Sequence, residues 1–279
     1  MVRASHIQIH SPLYSLLKAG LCAGLAYRPP HPLLKTIGLR WQYQPHQDLH
    51  KVVKTYLESH YESYCKGWIN KTNIPTYFFA SGAGTGKSRN ATEFHRTLVE
   101  CLEQGSPLRA RLEGAKVFHV GFENGMSPTQ RETADPLRAI GLRMLHQLLG
   151  PELSLYEVRR KYVSPSPSEI FRLVAKYEGE DLFKQFTGVL VVDGLEPCFM
   201  ELGEDGKNKG SRFHSALASV SDTAMDPRGV FIIPCCTARV TAPVEEFFAI
   251  SHRRRVFLPV VTSLAPPTMK KDGIVTPAF

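Results

Sequence analysis

The stretch Ser81-Gly82-Ala83-Gly84-Thr85-Gly86-Lys87-Ser88 constrains the chain more than any other. Three glycines in eight positions suit neither a stable helix nor a strand interior. The apolar run Tyr77-Phe78-Phe79-Ala80 precedes it, and a helix pattern from Arg89 to Leu102 follows. The order strand, glycine loop, helix is the context in which backbone N–H groups converge on a phosphate. The residues match the Walker A pattern G-x-x-x-x-G-K-[ST], with Ser81 at the first glycine position. Ser81 to Ser88, with Arg89, form the expected nucleotide-contacting run. Lys87 is expected to reach the β- and γ-phosphates, and Ser88 to ligate Mg²⁺. The start of the next helix adds free N–H groups and partial positive charge.

A nucleotide hydrolase also needs a carboxylate at the end of a neighbouring buried strand. Val189-Leu190-Val191-Val192-Asp193 provides one, a Walker B pattern with Asp193 as metal-binding acid. Asp193-Gly194 also reads plainly as a turn at a strand end. Two glutamates compete as the base that activates water, Glu196 three residues later and Glu123 after the second strand. Thr237 and Arg239, past a fourth apolar run, are candidates to sense the γ-phosphate and neutralise its charge. A surface arginine after a strand is the plainer reading of Arg239.

The remaining patterning is that of an α/β fold. Lys116–Phe122, Gly188–Asp193, Gly229–Cys236 and Arg255–Val261 read as further strands. Their near-continuous apolar character suits strands covered on both faces of a parallel sheet. Pro234 and Pro259 inside two of them predict frayed or bulged ends. Helix patterns cover Asp135–Leu149, Ser168–Tyr177 and Ser211–Asp222. Ahead of the first strand, Leu49, Val52, Val53, Tyr56, Leu57 and Tyr61 recur at helical spacing, with Gly67 as the stop. The expected organisation is a poorly defined leader over 1–45, a helical segment over 46–72, an α/β domain over 73–265 and a Pro-containing tail over 266–279. Residues 12–27 are interrupted by Lys18, Gly20 and Gly24, so they read as a loose leader rather than a cleaved signal. Gly203–Gly210 is a polar loop and a candidate lid.

With 279 residues and 43% apolar composition, the chain is long enough for one such domain. No apolar run approaches a membrane span. Six scattered cysteines are too few for a disulfide scaffold, give a structural zinc site no sequence support because none forms a C-x-x-C pair, and fit a reducing, intracellular compartment. Adjacent Cys235 and Cys236 should face opposite sides of a strand. Residues 1–75 carry nine basic against three acidic side chains, and the rest carry 25 against 23. That bias permits a nucleic-acid partner, but no nucleic-acid motif accompanies it.

Tyr77–Glu93 with Phe94-His95, then Val117–Gly125 (VFHVGFENG), Ile140–Leu149 (IGLRMLHQLL) and the segment from Val256 to Pro267 resemble the NTPase module of Crinkler effectors of oomycetes and fungi. Trypanosome retrotransposon hot spot proteins carry a similar module. The resemblance covers about residues 40–270. It implies a three-layer P-loop NTPase of the STAND and AAA-like branch, with a mostly parallel five-stranded sheet of order 5-1-4-3-2. It also implies ATP and Mg²⁺ as ligands, Lys87 and Ser88 at phosphate and metal, Asp193 as the Walker B acid, and Arg239 near a sensor position. Delivery into a host cytoplasm or nucleus would follow for a true effector, but the Leu-Phe-Leu-Ala-Lys signature of those N-termini is absent. Relatives usually continue past the fifth strand, so a shortened relative is expected.

Three functions follow as expectations. The first is slow Mg-dependent ATP hydrolysis in an effector or regulatory protein, the second a nucleotide-held interaction module or homo-oligomer without turnover, and the third a phosphotransferase on a small molecule or nucleic acid.

Overall fold

The computed structural model describes residues 27–33, 40–82, 84–123, 126–177, 186–199, 211–225, 230–239, 241–260, 268–271 and 274–277. The leader up to residue 26, the lid candidate Gly203–Gly210 and Ala83 lie outside the described residues.

Five parallel strands form one sheet: β1 (Pro75–Ala80), β2 (Lys116–Gly121), β3 (Thr187–Asp193), β4 (Phe231–Ala238) and β5 (Arg254–Phe257). Their order is β2-β3-β4-β1-β5, which is 5-1-4-3-2 read from the other edge. A parallel sheet needs a crossover between successive strands. Helices α2 (Lys87–Thr92), α3 (Phe94–Glu100) and α4 (Pro107–Glu113) link β1 to β2. Helices α5 (Gln130–Ala134), α6 (Pro136–Leu149), α7 (Leu155–Lys161) and α8 (Pro167–Tyr177) link β2 to β3. Helices α9 (Leu195–Phe199) and α10 (Ser211–Thr223) lead to β4, and α11 (Ala242–Ser251) leads to β5. Helix α1 (Leu49–Cys65) precedes the sheet.

The alternation of side chains along each strand builds two apolar layers. Phe78, Phe118, Val120, Leu190 and Cys236 face a core shared with α6, α8, α10 and α11. Tyr77, Phe79, Val117, Val189, Val191 and Cys235 face α1, α3 and α4. Cys235 and Cys236 therefore sit on opposite faces, both fully buried. Every residue of β3 and β4 is buried, as the continuous apolar runs required.

Several sequence expectations change. The helix expected over Arg89–Leu102 is two helices, α2 and α3, which meet at Glu93. Pro234 causes no fray, because β4 runs unbroken to Ala238. The registered β1–β4 pairs begin only at Tyr77 and Cys235, so Pro234 precedes that ladder. The fifth strand ends at Phe257, two residues before Pro259. Within the expected tail, β6 (Thr268–Lys271) and β7 (Ile274–Pro277) pair antiparallel. Parts of the expected leader also pack on the domain. The Tyr27 hydroxyl donates to the Val117 carbonyl at 3.0 Å, and the Tyr43 hydroxyl donates to the Asn90 side chain at 2.8 Å.

Candidate functional site

In a parallel sheet all carboxyl ends share one edge, where ligands of open α/β sheets bind. Four exits meet there: the Ser81 loop after β1, Glu123 after β2, Asp193 closing β3, and Thr237 to Arg239 at the end of β4. Backbone bonds lock these exits together. The Ser81 amide donates to the Ala238 carbonyl and the Phe122 amide to the Asp193 carbonyl, each at 3.0 Å.

The glycine loop takes its shape from left-handed backbone at Gly84 (φ 78°) and Gly86 (φ 81°), a region side chains rarely adopt. Gly86 is the N-cap of α2 and has no side chain to cap with. Its carbonyl instead accepts from the Asn90 amide at 2.9 Å and the Asn90 side chain at 3.0 Å. Ser81, the departure from the motif, bonds through its hydroxyl to the Thr85 hydroxyl. Thr85 also donates to the Gly82 carbonyl at 2.8 Å, so the serine ties the loop across its base. The Lys87 ammonium donates to the Gly82 carbonyl at 2.5 Å. It lies in the field of Asp193, Glu196 and Glu123, but burial and the Arg239 guanidinium dominate and lower its pKa.

Asp193 is 7% exposed. Its carboxylate accepts from the Thr237 hydroxyl and is hydrogen-bonded by Ser88. Burial raises its pKa above the usual carboxylate value, against the pull of those two hydroxyls. Ser88, Asp193 and Thr237, drawn from three chain segments, thus form one cluster of oxygen atoms. Hard oxygen donors of this kind suit Mg²⁺, which takes one or two carboxylates and fills its remaining positions with phosphate and water. No group of three or more His, Cys, Asp or Glu side chains that could hold a metal occurs among the described residues.

Both base candidates touch Arg239. Its backbone amide donates to the buried Glu196 carboxylate, and its guanidinium pairs with Glu123. Gly194 (φ 78°) lets the two segments approach, since a Cβ there would lie 2.7 Å from Glu123 Cγ. Arg89 turns its guanidinium away from the cluster to Glu93, at 2.9 Å, and the Trp41 carbonyl, at 3.4 Å.

One group was missed in the sequence. Arg143, on α6, is 2% exposed. Its guanidinium donates to the carbonyls of Gly121 at 3.2 Å and Met126 at 2.5 Å, bracketing the segment that carries Glu123. It stacks on the Phe122 ring, 4.1 Å from the centroid. Its charge is balanced by Glu132 at 3.4 Å, which also pairs with Arg159 at 2.8 Å. Burial lowers the Arg143 pKa to about 10. Burial pushes Glu132 up, but the bonds from Arg159 and the Thr129 amide outweigh it and hold the carboxyl low. Positions 132, 143 and 159 share no motif. The only sequence signal was Thr129 with Glu132, the capping box that starts α5.

No protein-family model matches the chain. Crinkler effector protein 108 of Phytophthora sojae is 30% identical over 264 residues, which covers 91% of this chain and 31% of that protein. The chain is similar in sequence to that Crinkler protein over most of its own length. It spans less than a third of that Crinkler protein's length. Among solved structures, a chain of the Drosophila ORC bound to DNA covers 78% of this chain and 95% of its own length, at 13% identity and a TM-score of 0.32. A likeness that low carries no argument about this chain. No helix among its described residues is long and apolar enough to cross a membrane.

Proposed function

We propose that the chain binds a nucleoside triphosphate with Mg²⁺ at the Ser81–Ser88 loop and hydrolyses it slowly. ATP is the ligand the family resemblance implies. The observation that carries the reading is the cluster of Ser88, Asp193 and Thr237 with the Lys87 ammonium beside it, at the carboxyl edge of the sheet.

In this reading the loop amides from Gly82 to Lys87 cradle the β-phosphate, and Lys87 exchanges the Gly82 carbonyl for phosphate oxygens. Ser88 and Asp193 would hold the metal, which would supply neutralisation of phosphate charge. Thr237 keeps the Asp193 carboxylate oriented. Glu196 or Glu123 accepts the proton of the attacking water. Arg239, bonded to both, would offset charge on the phosphoryl group as it transfers to water.

A second reading, a nucleotide-held module without useful turnover, has one observation in its favour. Both base candidates are already engaged by Arg239. Single-turnover release of γ-labelled phosphate, run on wild type, Glu196→Gln and Glu123→Gln, separates the readings. Release that one glutamine variant abolishes supports hydrolysis and names the base. Tight binding without release supports the module. Transfer of label to a molecule other than water supports a phosphotransferase. An effector role is carried over from the Phytophthora sojae relative as part of this proposal.

A further inference from the structure

A cavity of about 500 Å³ opens beside the site, at the free edge of β2, and its wall includes both Glu123 and Asp193. Its size falls within the range of small-molecule sites, about 300–1,000 Å³. One side is the segment of residues 28–33 laid along the sheet edge, and the opposite side is α6 with the turn leading to α7. Gln147 closes the β2 edge, accepting from the His119 amide at 3.2 Å and donating to the Arg28 and Val117 carbonyls at 2.9 Å each. The His119 and Val117 amides are therefore already bonded, to Gln147 and Tyr27, and do not offer a peptide strand a ladder.

The wall is mainly apolar, formed by Pro29, Pro32, Leu33, Met126, Leu153 and Leu155. Its charges are balanced within the protein. Arg143 is paired with Glu132, Arg28 with Glu152, and Glu123 with Arg239. Asp193 has its two hydroxyl partners. His31, His119 and His146 also line the cavity. Burial lowers the imidazole pKa values of His119, to about 4, and of His146, which favours their neutral forms. A charged ligand entering here would lose hydration in a mainly apolar space where Arg143, Arg28 and Glu123 already have ion-pair partners. An uncharged, largely apolar molecule meets no such penalty.

We propose that this cavity is a binding site for an uncharged, mainly apolar small molecule, one end of which lies against Glu123 beside the oxygen cluster of Asp193. The site stands apart from the nucleotide reading. Only its coupling to nucleotide, through the shared Glu123 and Asp193, rests on that reading.

The test uses N-phenyl-1-naphthylamine, an uncharged fluorophore that brightens in apolar sites, titrated into the full chain. Two variants fill the cavity. In Gly121→Ile the added Cβ meets nothing closer than Leu33 Cδ2 at 3.7 Å, so the rest of the side chain enters the space. Leu153→Trp fills it from the opposite wall, and either variant is informative if it keeps the wild-type unfolding transition. The expected result is saturable one-to-one binding that weakens about tenfold or more in each folded variant, a difference of about 1.4 kcal/mol. Lys87→Ala should retain probe binding whether or not nucleotide binding fails. Absence of saturable binding to wild type, or unchanged affinity in a folded cavity-filling variant, overturns the proposal. Mg·ATP that changes probe affinity would show the coupling, and by linkage the probe would change nucleotide affinity by the same factor.

Discussion

Arg239, at the exit of β4, reaches across the end of β3 to pair with Glu123 at the exit of β2. The side chains are 51% and 36% exposed, so the pair contributes at most about 1 kcal/mol to stability. Its importance is positional, since Arg239 bonds to both candidate bases, Glu123 and Glu196.

Arg239→Ala should therefore leave the melting temperature within a few degrees of wild type, on the scale set by about 1 kcal/mol. Phosphate release should fall by about 100-fold or more, as for a residue that neutralises transferring phosphoryl charge. Gly194→Ala should act on the same pair from below. It places a Cβ at positive φ against Glu123, and should cost about 1–2 kcal/mol of stability while slowing turnover. Thermal melts and single-turnover rates on the two variants check both statements.

Asp193→Asn is expected to raise stability and remove function. Burial raises the carboxyl pKa in the folded state. The favourable contribution of such a group belongs to low pH and is lost as pH rises through the folded pKa. The charged form of this buried side chain is thus the disfavoured one, and asparagine keeps an oxygen for Thr237 and Ser88 without the charge. In Mg-free buffer the variant should melt higher than wild type. Added Mg·ATP should stabilise wild type and leave the variant unchanged. A lower melting temperature in Mg-free buffer would contradict the account.

Arg143→Met should be the most damaging substitution outside the cluster. It leaves Glu132 with Arg159 alone as a charged partner and frees the carbonyls of Gly121 and Met126. Breaking a buried pair costs about 3 kcal/mol or more. Because Arg143 acts by positioning the Glu123 segment, the turnover rate should fall more than Mg·ATP affinity. Arg143→Lys should restore the charge without the two-carbonyl grip, and so recover stability better than rate. Denaturant melts together with kcat and KM read the difference.

Acid stability should be governed in part by His60. Burial, with help from the Arg254 charge, lowers its pKa to about 3. The ring packs 4.9 Å from Phe231 between helix α1 and the sheet. The unfolded chain takes up a proton near pH 6.5 while the folded chain does not, so stability falls as pH drops from about 6.5 toward 3. His60→Phe should flatten that part of the stability–pH curve. Urea titrations at pH 7, 6 and 5 on both proteins measure it.

Much of this architecture could be read from the residues because its chemistry is local. The loop from Ser81 to Ser88 and the run ending at Asp193 each carry their meaning within a few positions. Strand membership followed from continuous apolar runs, while the strand order came from family resemblance, since periodicity does not say which strands are neighbours. Pro234 misled because its effect depends on where the β1 ladder begins, a property of two strands together. The Glu132, Arg143 and Arg159 group and the packing of Tyr27 on Val117 were invisible for the same reason. Each joins distant positions through burial, and nothing near either partner announces the other.

The most direct test of the central claim is equilibrium binding of Mg·ATP to wild type and to Lys87→Ala, measured by titration calorimetry. The account predicts one saturable site in wild type and at least a tenfold loss of affinity in Lys87→Ala, with the fold intact by circular dichroism. Binding that is absent from wild type, or equal in the two proteins, would contradict the assignment of the Ser81–Ser88 loop to phosphate.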